Sequence, residues 1–150
     1  MLLIAIWAVV AIGVLGFVAW QVRRSRQLRE LEEHSIEADA LHELLEPVRR
    51  VLVYDVRQPL DLLAYSEIIP GARRVPPKDV LENPSLIPRE ADVVVYCTCP
   101  GEKTSWEIVR RTKELNYSRL KLLRGGLEAW KAKGYPVVPY KDSFRLDTAV

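Results

Sequence analysis

Charge is missing from the front of this chain. No Asp, Glu, Lys or Arg precedes Arg23, and residues 1–20 are rich in Leu, Ile, Val and Ala. An apolar surface without a polar stripe excludes an ordinary amphipathic helix of a soluble domain. A cleaved signal peptide would carry a positive region before its apolar run. None is present, and no clear small-x-small site follows the run. Some 20 helical residues at ~1.5 Å each span the ~30 Å hydrocarbon core. Residues 1–22 are therefore expected to form a transmembrane helix. Arg23, Arg24, Arg26 and Arg29 follow directly. The positive-inside rule places that flank in the cytoplasm and the N-terminus outside, in a single-pass cell-membrane protein.

Cysteine and histidine are also scarce, with two of each in 150 residues. Cys97 and Cys99 are one residue apart, so they form no disulfide framework, and a bridge between them would close a strained ring. In a reducing cytosol both are expected to be free thiols. His34 and His42 lie far back in the chain and are expected at the surface, so no zinc-type ligand set accompanies the cysteines and no metal is expected. The formal net charge is only +2, with acids and bases mixed along the soluble part. Such a chain has no nucleic-acid footprint. No internal repeat is present.

What remains is patterned as α/β. Residues 23–34 are rich in Arg, Glu, Leu and Gln and read as a helical linker leaving the membrane. Ser35 opens the globular part. With acids in the next turn it resembles a helix start whose Leu41, Leu44 and Leu45 face a core. Pro47 would stop that helix. Residues 51–56, 92–96 and 120–123 read as buried strands. Residues 60–65, 104–115 and 127–132 read as helices, the second carrying Trp106, Val109 and Leu115 on one side and the last carrying Trp130. Trp106 and Trp130 are expected in the core. Pro70-Gly71 marks a turn, Val75 a short strand, and Pro76-Pro77 a break. Gly125-Gly126 is a tight turn needing glycine for its shape, and Gly134 with Pro136 ends the last helix. Helices alternating with buried apolar strands give an α/β fold with a mainly parallel central sheet flanked by helices. The domain spans residues 35–140, and residues 141–150 read as a flexible tail.

The chemistry concentrates in residues 93–105, Val-Val-Val-Tyr-Cys-Thr-Cys-Pro-Gly-Glu-Lys-Thr-Ser. This is a buried strand, a short loop and a helix start. A thiol at the carboxyl end of a strand, facing a helix N-terminus, lies where N–H groups and the helix dipole favour a thiolate. Parallel sheets also place their ligands at that edge.

Four local motifs then resemble one family. They are Val53-Tyr-Asp-Val-Arg57, the turn Ile69-Pro-Gly-Ala-Arg73, the cysteine loop, and Arg124-Gly-Gly-Leu-Glu-Ala-Trp130 with Gly134-Tyr-Pro-Val137 after it. Their order and spacing are similar to a single-domain rhodanese, a sulfurtransferase-like module, over residues 35–139. The resemblance implies a sulfurtransferase or persulfide carrier with no cofactor, which the expected span over residues 1–22 would anchor in the membrane. Its partner would be a small sulfur donor such as thiosulfate, or a persulfide-bearing protein. A loop thiolate would take the outer sulfur of the donor and pass it to an acceptor thiol, the loop N–H groups stabilising the charge on sulfur.

Two cysteines stand where the family has one. Counting back from Gly125-Gly126 and Ser105 points to Cys99 as nucleophile, heading the six-residue loop Cys99-Pro100-Gly101-Glu102-Lys103-Thr104, although Pro100 removes one N–H. Counting forward from the strand points to Cys97. A dithiol in which one cysteine resolves the other's persulfide is a third arrangement. Glu102, only partly offset by Lys103, weakens dianion binding and weighs against a phosphatase, which needs an arginine clamp. The family's histidine before the proline-glycine turn is absent, since Ser66-Glu-Ile-Ile69 stands there. Asp55 and Arg57, at a strand end on the same rim, are expected to make a structural ion pair, with substrate contact as the other role. A catalytically weak binding module tethered to the membrane, and a thiol redox protein using both cysteines, are the competing functions.

Overall fold

The computed structural model describes residues 2–46, 48 and 50–141, without the side chains of residues 2–6, 8, 9 and 100. Two compact units are present, residues 1–33 and 34–150. The first is one continuous helix, α1 (Leu2–Glu33). It presents Ile12, Leu15, Phe17 and Trp20 to the outside. Arg24 lies over the Trp20 ring, 5.3 Å from its centre. Among the described residues no helix is long and apolar enough to cross a membrane. The span expected over residues 1–22 is therefore not shown: the apolar segment and the polar linker form one unbroken helix.

The second unit is built on a five-stranded, wholly parallel sheet. Its strands are β1 (Ser35–Ile36), β2 (Leu52–Asp55), β4 (Arg73–Arg74), β5 (Val93–Tyr96) and β6 (Leu120–Leu123), in the order β1-β6-β5-β2-β4. β5 is central and all four of its residues are buried, as a strand covered on both faces must be. Between the strands run α2 (Ala38–Leu45), α3 (Pro59–Ala64), α4 (Pro77–Glu82) and α5 (Lys103–Glu114), and after β6 comes α6 (Gly126–Ala132). β3 (Glu67–Ile68) pairs antiparallel with β7 (Val138–Pro139) in a separate two-stranded sheet.

Strand alternation sends Val94 and Tyr96 into one core layer with Ala38, Leu41, Leu127 and Trp130. α4 and α5 pack against each other, with Val80, Ile108 and Val109 buried. Trp130 is fully buried and donates its indole N–H to the Pro136 carbonyl at 2.8 Å. Burying such a ring stabilises by ~1.5–3 kcal/mol.

Several local expectations are corrected. Ser35 does not cap a helix. It is extended, because β1 pairs with β6 across the chain (Ser35↔Leu122, Ile36↔Leu123), and the N-cap of α2 falls to Glu37 without a side-chain bond. Trp106 is half-buried and Leu115 exposed, since the inward face of α5 is Ser105, Ile108, Val109 and Thr112. Val75 lies just past β4, and Pro77 starts α4 rather than breaking the chain, which suits the first helical turn. His42 is not a free surface residue: it stacks on Tyr135 with ring centres 4.1 Å apart. Pro47 and residues 142–150, assigned a helix stop and a tail, lie outside the described residues.

Candidate functional site

The carboxyl edge of the sheet gathers three segments: the residues after β5, those after β2, and the turn between β6 and α6. Cys97 directly follows β5 and is buried, only 2% exposed. Cys99, two residues on, is half-buried. Their Sγ atoms are 2.7 Å apart, longer than the ~2.05 Å of a disulfide. They are a contacting pair of free thiols.

The loop is bent so that helix α5 points at these sulfurs. Pro100–Glu102 make one 3-10 turn, the Glu102 N–H bonding the Cys99 carbonyl at 3.1 Å. Gly101 (φ 68°) and Glu102 (φ 50°) are both left-handed. Glycine adopts that conformation freely, whereas a glutamate does so at a cost. The Glu102 strain has a visible compensation: its carboxylate accepts the Gly125 N–H at 2.7 Å. α5 then begins at Lys103, and the Thr104 N–H donates to Cys99 Sγ at 3.3 Å.

The two sulfurs differ electrostatically. Burial raises the Cys97 thiol to about 11, with its bond to Cys99 adding to the rise and Ser105 opposing it. Burial also works against a charged Cys99, but hydrogen bonds from Cys97 and Thr104 more than reverse it, leaving that thiol below its ordinary value. Of the two thiols Cys97 holds its proton the more tightly, and Cys99 is the readier to ionise. Ser105 is fully buried, and its hydroxyl makes no other hydrogen bond of good geometry among the described residues.

Gly125-Gly126 holds the floor of the loop. The Leu127 N–H bonds the Cys97 carbonyl at 3.3 Å. Gly126, at φ +55°, leaves no room for a Cβ, which would stand 1.9 Å from that carbonyl oxygen.

Asp55 and Arg57 form a separate buried cluster, both 0% exposed. Arg57 Nε donates to Asp55 Oδ1 and Oδ2 at 2.9 Å each. Its Nη1 reaches the Tyr65 carbonyl at 2.7 Å, and Nη2 the Glu67 carbonyl at 2.9 Å. The Tyr96 hydroxyl, kept protonated by burial and by the Asp55 charge, donates to Asp55 Oδ2 at 3.0 Å. This cluster ties the ends of β2 and β5 to the chain entering the Pro70-Gly71 turn. The guanidinium is spent on protein acceptors and is not open to a substrate.

Of the loop residues singled out in the sequence, Cys97, Cys99, Thr104 and Ser105 are brought together at the sulfurs. Gly101 and Glu102 shape the turn, Lys103 is exposed at the helix start, and Pro100 contributes backbone to the 3-10 turn. Two roles were missed. Tyr96 is the acceptor-orienting partner of Asp55, a pairing foreshadowed only by both ending neighbouring strands (Asp55↔Tyr96). Glu102 is a strut to Gly125, 23 residues away, with no local signal. Among the described residues no three His, Cys, Asp or Glu side chains group as a metal site would need.

A parallel sheet whose central strand leads into a two-cysteine loop and a helix N-terminus defines an α/β protein with two thiols at the sheet edge where such folds carry their sites. The comparisons make the family specific. The Rhodanese-like domain model matches residues 37–133, and the chain belongs to that family. A sulfurtransferase of Allochromatium vinosum is 30% identical over 105 residues, covering 70% of this chain and 94% of the relative. Among solved structures, a rhodanese-related protein from Thermoplasma volcanium superposes with a TM-score of 0.60 at 26% identity, covering 72% of this chain and 99% of that one. A thiosulfate sulfurtransferase from Pseudomonas aeruginosa gives a TM-score of 0.58 at 26% identity, over 70% of this chain and 20% of that one.

Proposed function

We propose that this chain is a sulfurtransferase or persulfide carrier acting through the Cys99 thiolate. The observation that carries the reading is the environment of Cys99. Its half-buried sulfur receives the Thr104 N–H at the start of α5 and touches Cys97 Sγ. The Cys99 thiolate attacks the outer sulfur of a donor such as thiosulfate. A sulfur–sulfur bond forms at Cys99, the donor's sulfur–sulfur bond breaks, and sulfite leaves with the electron pair. The loop N–H groups hold the negative charge before and after. An acceptor thiolate then takes the outer sulfur, and Cys99 departs as a thiolate. Cys97 fits this first step poorly as nucleophile, being buried and held protonated.

The reading includes a tether. Residues 1–22 lie in the membrane, the N-terminus is outside, and the domain is cytoplasmic. Its support is the absence of charge before Arg23, the four arginines after it, and an α1 surface that leaves Ile12, Leu15 and Phe17 uncovered. Trp20 beside Arg24 suits a membrane–water boundary.

Sulfur transfer from thiosulfate to cyanide, read as thiocyanate, tests the activity. Cys99→Ser should abolish it. No transfer by the unsubstituted chain from thiosulfate or polysulfide would instead favour the tethered binding module.

A further inference from the structure

Cys97 makes and breaks no bond to sulfur in the two half-reactions above, where it serves only as a hydrogen-bond donor to Cys99, yet it is the best-placed atom to intercept their intermediate. A persulfide on Cys99 has an inner sulfur, Sγ, and an outer one. Cys97 Sγ stands 2.7 Å from that inner sulfur. Reaching the ~2.05 Å of a disulfide takes less than about 1 Å of movement. Cys97 is also only 2% exposed. Donors and acceptors from solution meet Cys99, and Cys97 is approached by way of its neighbour. The cysteines are therefore not two equivalent nucleophiles but an outer and an inner thiol.

We infer that Cys97 is a resolving cysteine that discharges a Cys99 persulfide as hydrosulfide, making the pair a dithiol persulfide reductase. The inference rests on the sulfur-loading reading of Cys99. In the step, Cys97 Sγ attacks Cys99 Sγ. A Cys97–Cys99 bond forms and the bond from Cys99 Sγ to the outer sulfur breaks. The electron pair leaves with the outer sulfur, and the Cys97 proton goes with it. The sulfane sulfur is reduced by two electrons, and two thiols are oxidised to one disulfide. Two equivalents of a low-molecular-weight thiol, or one dithiol, return the pair to its starting state. A bridge across a single intervening residue is strained, and strained disulfides are the readily reduced ones. The raised Cys97 thiol keeps its proton available for the leaving sulfur. The Ser105 hydroxyl, without another good partner among the described residues, is left to support Cys97 as charge develops there.

The test uses the full chain, reduced, freed of reductant and kept without oxygen, then mixed with thiosulfate alone. Trapped hydrosulfide and the intact mass are read together. The wild-type chain should release about one hydrosulfide per molecule and end lighter by two hydrogens. Cys97→Ala, which loses the hydrogen bond to Cys99, should load more slowly but end with the mass of one added sulfur and release at least about tenfold less hydrosulfide. If both forms hold the added sulfur equally and release none, the resolving role is overturned while sulfur loading stands. If neither form takes up sulfur, the loading reading falls and this inference with it. Should Cys97→Ala fail to fold, the wild-type mass alone decides: a stable added sulfur refutes the step, and loss of two hydrogens with hydrosulfide release supports it.

Discussion

Replacing Gly126 with alanine should damage this domain more than the same change at Gly101, Gly125 or Gly134. A Cβ there would stand 1.9 Å from the Cys97 carbonyl oxygen and 3.0 Å from its carbon. The obstacle is backbone at the end of the central strand, not a side chain that can swing aside. Three costs combine. A left-handed φ of +55° disfavours an L-residue, the crowding must be relieved by moving backbone, and the Leu127 N–H bond to the same carbonyl is lost. Together these come to roughly 3–6 kcal/mol. Gly134 supplies the control, because its φ is +76° but nothing lies within 4 Å of a Cβ. Gly134→Ala should cost only the backbone preference, about 1–2 kcal/mol. Urea unfolding of the two variants isolates the steric part as a shift in midpoint at unchanged slope. In a thermal melt the Gly126 variant should fall about 10 °C or more below the Gly134 variant. Equal losses in the two would refute the close approach of the glycine turn to the cysteine loop.

Other expectations follow from the same contacts. Asp55→Ala leaves the Arg57 charge buried without its partner and should cost about 3–5 kcal/mol in denaturant unfolding; a loss under about 1 kcal/mol would mean the cluster is not buried. Cys97 keeps its proton in the folded chain up to about 11, whereas an unfolded cysteine loses it near ~8.5. Its stabilising contribution is therefore complete below the unfolded value and declines as pH rises across that window, because the native state holds more protons there. Cys97→Ala should remove that part of the slope, measured as unfolding free energy against pH, and an unchanged slope would contradict the buried thiol. Iodoacetamide near neutral pH should modify Cys99 and spare Cys97, as peptide mapping would read. Deleting residues 1–22 should move the protein from the membrane fraction to the soluble one, and unchanged fractionation would remove the tether from the account.

The central strand, the cysteine loop and the glycine turn were legible because their signals are local. Val93-Val-Val-Tyr96 is an unbroken run of β-formers, and Gly125-Gly126 stands where a strand meets a helix. What escaped depends on partners far along the chain. Ser35 looks like a helix cap until β6, some 85 residues later, pairs with it. The two-residue strands β3 and β7 are too short to leave a period. Trp106 carries a large apolar ring, yet the buried stripe of α5 runs through Ser105 and Thr112 instead, because the sheet sets which face turns inward. The choice between the cysteines was open in sequence, since counting from either side gave a different residue. In the structure the two differ in burial, Cys97 being buried and Cys99 half-buried, and the proposal of Cys99 as nucleophile rests on that difference.

Locating the first sulfur tests the account most directly. Cys97→Ser and Cys99→Ser chains, each checked for folding by circular dichroism, are exposed to thiosulfate, capped with an alkylating agent and mapped by peptide mass spectrometry. The account predicts one added sulfur on Cys99 in the Cys97→Ser chain and none in the Cys99→Ser chain. Sulfur on Cys97 in the Cys99→Ser chain, with Cys99 bare in its counterpart, would contradict it.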